Sequence, residues 1–289
     1  MKFGSLLVLV FSLLYGAAAQ PPLTSYVNPF IGTGGHGHTF PGATMRYGMG
    51  QLSPDTRVDG SWDGCSGYHY SDSIIYGFSH THLSGTGVTD YGDVLLMPTV
   101  GEPVFEPMKD GSYKKGYASH FSHQKENASP GYYAVHLDDD AIDVELTVTP
   151  RVGFHKYTFP KTNQANIILD LTHRDKTTEA SVRVIDSRHV EGMRRSTGWA
   201  KNQVVYFAME FSKQFENYGI AVNDSMQKNS AEASSPNLKS YFQFITGNGE
   251  AVYVKVAISA VSTDGAWKNL TGECHDWDFE EVKTNADAT

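Results

Sequence analysis

Short segments of alternating or β-branched residues follow one another along most of this chain, and they constrain its fold more than any other feature. Turn-forming residues separate them, among them the acidic run at 138–140, Gly192, the pair Thr197-Gly198 and the triplet at 247–249. Helical periodicity is almost absent. Short strands at this spacing predict an all-β protein, an antiparallel β-sandwich. The predicted strands cover residues 132–137, 142–148, 154–159, 165–171, 181–185, 203–211, 238–245 and 251–261.

The last thirty residues break this pattern. After Ala260 the sequence reaches a capping-type start at Asp276 or Asp278, followed by acidic residues and by Phe279 and Val282 three positions apart. This arrangement predicts the beginning of a helix. A helix that begins so near the chain end is expected to have little to pack against, so we expect the chain to stop inside an element.

The start of the chain predicts export. Lys2 precedes an apolar run at residues 6–14, and the small residues 17–19 come just before Gln20. This is the pattern of a signal peptide cleaved near Gln20. The apolar run is far shorter than the roughly 20 residues needed to span a bilayer, so we expect a periplasmic or extracellular protein without a membrane span. The formal net charge of −9 gives no electrostatic attraction to nucleic acid or anionic membranes.

Metal and disulfide sites are weakly indicated in the rest of the chain. The run at 138–140 is most simply a solvated hairpin turn, because three consecutive aspartates cannot all converge on one calcium ion, which is the alternative. Cys65 and Cys274 could pair in an oxidising compartment, but their spacing matches neither a disulfide framework nor a zinc knuckle. Two independent thiols are favoured, because Cys65 lies in a polar segment and Cys274 near the chain end.

Residues 26–101 differ in composition from everything that follows. They hold five of the twelve histidines, most of the clustered glycines and no glutamate. Glycine-rich loops lose much backbone entropy on folding. Irregular loops rich in Trp, Tyr and His are what a sheet scaffold presents to a polar ligand. The functional site is therefore predicted in this segment.

Two motifs in this segment allow two readings each. The glycines of residues 32–37 have the spacing of a phosphate loop but lack its strand, its helix and its Lys-Ser/Thr, which favours a turn. His36 with His38, and His80 with His82, could each face a zinc ion. Because no Cys or Glu partner lies nearby in the sequence, histidines that hydrogen-bond to backbone or to a sugar fit better.

Trp62 is the strongest single candidate for a ligand contact. Its neighbours Ser61, Asp63 and Gly64 are polar or small. An apolar ring surrounded by hydrogen-bonding groups is what the face of a pyranose ring requires. A core position for Trp62 is the alternative, and the sequence leaves both open.

No pair of carboxyl groups in this segment stands out as a catalytic pair. A glycosidase usually needs two carboxyls flanking the scissile bond, one of them with a raised pKa. Here Asp55 and Asp59 fall in a turn-like polar stretch, and Asp90 and Asp93 border a glycine before a strand, so each has an ordinary structural explanation. The available carboxyls are Asp55, Asp59, Asp63, Asp72, Asp90 and Asp93.

Four strings carry a family resemblance: Tyr26-Val27-Asn28-Pro29-Phe30-Ile31-Gly32-Thr33, Phe40-Pro41-Gly42-Ala43, Ser66-Gly67-Tyr68-His69-Tyr70 and Gly77-Phe78-Ser79-His80-Thr81-His82-Leu83-Ser84-Gly85-Thr86-Gly87. They resemble the opening of glycoside hydrolase family 92 proteins, the calcium-dependent exo-α-mannosidases. The similarity continues to the chain end through residues 255–262 and Asp276-Trp277-Asp278-Phe279.

The resemblance implies how the chain is divided. Residues 1–19 would be the signal peptide, 20–265 an amino-terminal β-sandwich of the supersandwich type, and 266–289 the start of a helical linker to a carboxy-terminal (α/α)6 barrel. Family members hydrolyse terminal α-mannosides with inversion, using a Glu acid, an Asp base and a calcium ion. The acid and base belong to the barrel and have no counterparts here. We therefore expect no catalytic residue and no metal site in this chain, and no activity from it alone.

The resemblance also implies which residues form one wall of the sugar pocket. They belong to the string from Trp62 to Cys65 and to the loop around His38. A stand-alone carbohydrate-binding sandwich that uses Trp62 as a platform is the alternative, and a structural sandwich without a ligand fits the glycine-rich segment poorly. The residues expected to contact a mannose-containing glycan are Trp62, Asp63, Cys65, His38, Thr39 and Phe40.

Overall fold

The structure, a computed structural model, describes residues 21–108, 116–223, 225–228 and 230–288. The predicted signal peptide lies outside these residues. No helix in the described part is long and apolar enough to cross a membrane. The helices are a 3-10 turn at Leu23–Tyr26, α1 at Thr263–Glu273 and α2 at Phe279–Asp287. The strands are β1 (Ala43–Thr44), β2 (Gln51–Asp55), β3 (Ile74–Ile75), β4 (Gly77–Ser79), β5 (Leu95–Val100), β6 (Ser119–Ser129), β7 (Tyr132–Leu137), β8 (Ile142–Val148), β9 (Val152–Phe159), β10 (Thr162–Asp170), β11 (Lys176–Val184), β12 (His189–Thr197), β13 (Gln203–Phe211), β14 (Asn217–Val222), β15 (Ser225–Lys228), β16 (Glu232–Ser234), β17 (Leu238–Thr246) and β18 (Glu250–Ser259).

These strands form two antiparallel sheets, which confirms the predicted fold class. The first has eight strands in the order β1-β2-β4-β5-β10-β17-β14-β15, and the second has ten in the order β16-β11-β12-β13-β18-β9-β8-β7-β6-β3. Consecutive strands such as β7, β8 and β9 pair as hairpins. Residues 43–100 are divided between the sheets, because β3 joins the second sheet and the other four strands join the first.

Apolar side chains from both sheets form the main core. Phe211 of β13 packs against Phe242 and Phe244 of β17, with ring centroids 5.1 and 5.5 Å apart. All three rings are completely buried. Each such ring contributes roughly 1.5–3 kcal/mol by leaving water. The sandwich is therefore held together by the strands that sit near the middle of each sheet.

The two helices cover the outer face of the ten-stranded sheet. The helix predicted near Asp278 is α2, and the Asp278 side chain caps it by accepting a hydrogen bond from the Glu281 amide at 2.9 Å. Phe279 is buried and lies 5.3 Å from the Phe154 ring of β9. The expectation that a helix here would have little to pack against is wrong, because the outer face of this sheet is itself apolar.

Most predicted strands are confirmed, with one informative correction. The predictions for 132–137, 142–148 and 203–211 coincide with β7, β8 and β13. Gly192 was expected in a turn but lies inside β12. An added Cβ at this position would overlap the Ser181 carbonyl and the Phe207 ring. Gly192 is therefore a close-packing position, not a chain reversal.

Candidate functional site

Three loops of the glycine-rich segment come together beside the eight-stranded sheet. The first loop (residues 28–42) leads into β1, the second (56–73) follows β2, and the third (80–94) joins β4 to β5. Side chains and backbone groups bond the loops to one another. These hydrogen bonds run from Gly85 N to His38 O (2.7 Å), from Ser66 Oγ to Thr39 O (2.8 Å), from Cys65 Sγ to Thr86 O (2.8 Å) and from Tyr70 N to Thr33 O (2.9 Å).

The glycines of residues 32–37 form turns, as predicted. The Thr33 amide donates to Phe30 O at 3.2 Å, and the Gly37 amide donates to Gly34 O at 3.0 Å. An added Cβ on Gly37 would overlap the Gly32 carbonyl. The run therefore closes on itself and leaves no cradle of amides for a phosphate.

Trp62 stands on the surface where these loops meet. Its ring lies edge-on to the His38 ring at a centroid distance of 4.8 Å. Gly87 of the third loop lies directly against it, since an added Cβ there would overlap the indole. Even so, 63% of Trp62 is exposed. The core interpretation of Trp62 is therefore excluded: the indole is supported from two loops and open to solvent.

Asp63 lies beside Trp62 in an ion pair with His36. The His36 Nδ1 and Asp63 Oδ1 atoms are 2.8 Å apart. This hydrogen bond lowers the pKa of Asp63 and raises the pKa of His36. The amide and hydroxyl of Ser61 likewise lower the pKa of Asp59. The carboxylates of Asp63 and Asp59 are thus held ionised.

The other predicted site residues face inward. Thr39 Oγ1 donates to Ile31 O at 3.1 Å. The Phe40 ring packs 4.9 Å from the His82 ring. Cys65 is only 1% exposed, and burial raises the pKa of its thiol. Of the six predicted residues, the structure therefore brings Trp62 and His38 into direct contact. Thr39, Phe40 and Cys65 instead make contacts that hold the loops together.

The two cysteines are independent thiols. Cys65 and Cys274 are both buried and both free. Burial raises the pKa of Cys274 to about 11, which keeps this thiol protonated and unreactive. Cys274 belongs to the apolar cluster under the helices, which contains no residue of the three loops.

A buried carboxylate lies beneath the second loop. Asp55, expected in a polar turn, is the last residue of β2 and is completely buried. It accepts a hydrogen bond from Ser79 Oγ at 2.5 Å, and the His82 and His173 Nε2 atoms lie 3.2 and 3.3 Å away. Burial acts to raise the pKa of Asp55, but the two imidazoles outweigh it and hold the pKa well below its usual range.

Arg174 connects this carboxylate to the Trp62 loop. Its Nη1 atom lies 3.3 Å from Asp55 Oδ1, and its Nη2 atom donates to the Cys65 carbonyl. The Arg174 backbone has a φ of +66°, a conformation in which a residue with a side chain is strained. An added Cβ on Gly67 or Gly92 would overlap the Arg174 side chain. The loops are therefore shaped around this guanidinium.

Arg194 of β12 fixes the turn that carries Arg174. Its guanidinium donates to the His173 carbonyl at 2.8 Å, to the Asp175 carboxylate, and to Asp93 Oδ1 of the third loop at 2.6 Å. The Arg194 side chain is completely buried. Sequence reasoning missed both arginines. Each lies far along the chain from the loops that it holds, and no local pattern marks either one.

The predicted pair His80 and His82 does not form a metal site. His80 Nδ1 donates to Val94 O at 2.6 Å, and its Nε2 faces His155 Nε2 at 2.9 Å. The described residues contain no group of three or more His, Cys, Asp or Glu side chains placed to hold a metal ion. They therefore do not offer the cluster of carboxylates that would hold the calcium ion implied by the family resemblance.

Comparisons with known proteins agree with this fold. The family model of the Glycosyl hydrolase family 92 N-terminal domain matches residues 26–259. A family GH92 alpha-mannosidase from Bacteroides thetaiotaomicron is 39% identical, covers 93% of this chain and superposes with a TM-score of 0.88. It has also been solved in complex with mannoimidazole. A family GH92 inverting mannosidase from Bacteroides thetaiotaomicron VPI-5482 is 29% identical over 92% of this chain, with a TM-score of 0.79.

A relative from Arthroderma benhamiae, described as an uncharacterized secreted glycosidase, is 28% identical over 316 residues and aligns with 100% of this chain. The chain spans 40% of that relative and 37% and 35% of the two solved mannosidases. The matched region includes both sheets and all three loops. This chain belongs to glycosyl hydrolase family 92 and corresponds to its N-terminal domain.

Proposed function

We propose that this chain forms one wall of the sugar pocket in an exported, exo-acting α-mannosidase that hydrolyses terminal α-mannosides with inversion. In this proposal, residues 20–265 are the pocket-wall domain, and residues 266–289 begin the connection to a C-terminal (α/α)6 barrel. The barrel supplies the catalytic acid and base and most of the calcium ligands. The fraction of each relative that this chain spans is consistent with such a second region.

One observation carries the proposal: Trp62 is exposed, aromatic and held in place by two neighbouring loops. An indole fixed on Gly87 and the edge of His38 presents an apolar face, and the Asp63 carboxylate beside it can accept hydrogen bonds from sugar hydroxyls. A flat apolar surface with a polar group at its edge suits a pyranose ring. The relative solved with mannoimidazole supports mannose as that ring.

Four carboxyls of β2 and the loops support the second part of the proposal, that this chain does not catalyse hydrolysis by itself. A general acid in a glycosidase needs a raised pKa. The pKa values of Asp59 and Asp63 are lowered by their hydrogen bonds, and that of Asp55 is held low by its imidazole partners. Asp93 is completely buried in the Arg194 network. None of these carboxyls has the properties of a catalytic acid.

A chimera tests the sugar-binding role of Trp62. Residues 20–289 would replace the matching N-terminal region of the 39% identical alpha-mannosidase, and mannose release would be measured with calcium present. Trp62→Ala should reduce kcat/KM by the equivalent of about 1–3 kcal/mol, and Trp62→Phe by less, because a smaller aromatic ring still covers the sugar. Since Trp62 is mostly exposed, the melting temperature should stay near that of the parent chimera. Full activity of Trp62→Ala would refute the proposal.

A stand-alone carbohydrate-binding sandwich is the second candidate. The observation in its favour is that the three loops are held by contacts within this chain. Arg174 and Arg194 bond to the second and third loops, and hydrogen bonds to the His38 and Thr39 carbonyls hold the first. It predicts that residues 20–289 alone bind mannosides with an affinity equal to that of the chimera. The pocket-wall proposal predicts much weaker binding by the chain alone, so titration calorimetry on both proteins separates the two.

A further inference from the structure

The described residues contain a second strongly exposed tryptophan. Trp199 is 77% exposed and belongs to the loop at 198–202 between β12 and β13. The other two tryptophans, Trp267 and Trp277, are partly buried and pack into the apolar cluster of the two helices. An indole this exposed contributes little to the core, so its presence on the surface calls for another explanation.

The backbone that carries Trp199 is firmly fixed. Asp90 is 6% exposed, and its carboxylate accepts hydrogen bonds from the Trp199 amide at 3.0 Å and the Ala200 amide at 2.6 Å. An added Cβ on Gly198 would lie 2.5 Å from Asp90 Oδ1, so a larger residue does not fit there. A buried carboxylate thus holds the loop in one conformation while the indole stays in solvent. A rigid backbone under an exposed aromatic ring is typical of a ligand-binding side chain.

Trp62 and Trp199 are anchored on the same segment. Gly87 of the third loop supports the Trp62 ring, and Asp90 of the same loop holds the Trp199 backbone. Two residues lie between Gly87 and Asp90, so the Cα atoms of these two anchors are at most about 11 Å apart. One short stretch of the third loop therefore supports both exposed indoles, because it contacts the Trp62 ring and holds the backbone that carries Trp199.

The residues next to Trp199 in the sequence suit a sugar better than a protein surface. Its neighbours in sequence are Thr197, Lys201 and Asn202, which offer hydrogen-bonding groups. Between Ile185 and Met226, Trp199 is the one large apolar side chain that is exposed among the described residues. A protein interface centres on a contiguous apolar patch, whereas one aromatic ring among polar groups is what a pyranose face requires.

We propose that Trp199 binds a second sugar ring, one that lies beyond the terminal mannose at Trp62. This inference rests on the proposed function, which places the terminal ring at Trp62. It makes Trp199 a specificity-determining residue that favours oligosaccharides over single-ring substrates. The exposed face of the indole stacks on the outer ring, and the Asp90 carboxylate keeps the loop from moving away.

Kinetics on two substrates test this proposal in the chimera. The substrates are α-mannosyl fluoride, which has one ring and no aromatic leaving group, and α-linked mannotriose. In Trp199→Ala, the ratio of kcat/KM for mannotriose to kcat/KM for the fluoride should fall about tenfold, the loss expected for one stacked ring. Trp199→Phe should recover most of the ratio. Ile185→Ala is the matched control, an exposed apolar residue near the opposite end of β12, and should leave the ratio unchanged.

Two results would overturn the inference. The first is an unchanged ratio in Trp199→Ala, and the second is an equal loss on both substrates together with a lower melting temperature, which would mean that Trp199 contacts the second domain. If the parent chimera cleaves neither substrate, the proposed function fails separately. In that case, NMR line broadening would measure the binding of mannotriose to residues 20–289. Weaker binding by Trp199→Ala would support Trp199 as a sugar contact, and equal or absent binding would refute it.

Discussion

The regular ladders of residues 119–259 and the three glycine-rich loops are ordered by different interactions. In the ladders, strands such as β13 pair in continuous register with both neighbours, and apolar alternation decides which face is buried. In the loops, order comes from single buried side chains that bridge segments far apart in sequence, above all Arg174 and Arg194. The loops thus depend on a few hydrogen bonds and buried charged contacts, whereas each strand depends on many weak contacts.

This difference predicts that equal substitutions have unequal effects in the two regions. Removing one partner of a buried charge network leaves the other charges without compensation. Removing one exposed charge from a strand leaves the ladder intact.

The largest effect is expected at Arg194, with its neighbour Arg195 as control. Arg194→Met leaves Asp93 and Asp175 buried without their cation, at a cost of about 3–5 kcal/mol in the free energy of unfolding. Arg195→Met on the same strand breaks two exposed contacts, with Glu179 and with the Asn202 side chain, and should cost about 0–1 kcal/mol. Urea denaturation of both variants measures the difference. Similar losses would show that the loops do not depend on the buried network.

Two glycines of the second loop give the next comparison. Gly67 has a φ of +109°, and an alanine Cβ would overlap Arg174 Nη1 and Asp55 Oδ1. Gly60 has a φ of +72° with no atom within 4 Å of an added Cβ. Gly67→Ala should therefore cost about 3 kcal/mol, from strain and overpacking together, and Gly60→Ala only about 1 kcal/mol, from strain. Equal stabilities of the two variants would contradict the close fit around Arg174.

The ladders and loops also meet at a buried histidine pair, which predicts a pH dependence. Burial lowers the pKa of His80 to about 4 and lowers that of His155 well below its ordinary value. Between pH 6.5 and 4 the unfolded chain binds protons that the folded chain excludes, so stability falls as pH decreases through this window. For His80 alone the loss from pH 7 to 4.5 is about 2–3 kcal/mol.

A matched variant isolates this effect. His155 donates through Nε2 to His80, and its Nδ1 accepts from the Tyr157 hydroxyl at 2.7 Å. Glutamine offers the same donor and acceptor but does not titrate. His155→Gln should therefore reduce the pH dependence of the unfolding free energy between pH 6.5 and 4 by the share of His155, while the share of His80 remains. An unchanged slope would show that other groups cause the acid sensitivity.

The same division explains what the sequence predicted. Strands β7, β8 and β13 were predicted with their observed bounds because they carry clear alternation or apolar runs. Strand β12 was missed because Gly192 and Arg194 do not resemble strand residues, although both are buried there. Helix α1 was missed because its sequence contains two glycines and little apolar periodicity. The alternation of apolar residues thus identifies a strand only where that alternation decides which face of the strand is buried.

The sequence indicated an exposed Trp62 but not how the loops around it are held. Polar neighbours in the sequence marked Trp62, and the structure confirms that it is exposed and touches His38. Its supports, Asp55 and Arg174, were not predicted. Their contacts join residues separated by more than one hundred positions, and no pattern within one segment contains that information.

Mannose release tests directly whether this chain shapes a sugar pocket whose catalytic groups lie elsewhere. Residues 20–289 and the chimera would be assayed side by side at equal concentration, with mannotriose and calcium. We expect release by the chimera and none by the chain alone. Calcium-dependent release by the chain alone, abolished by substituting one Asp or Glu within residues 20–289, would contradict it.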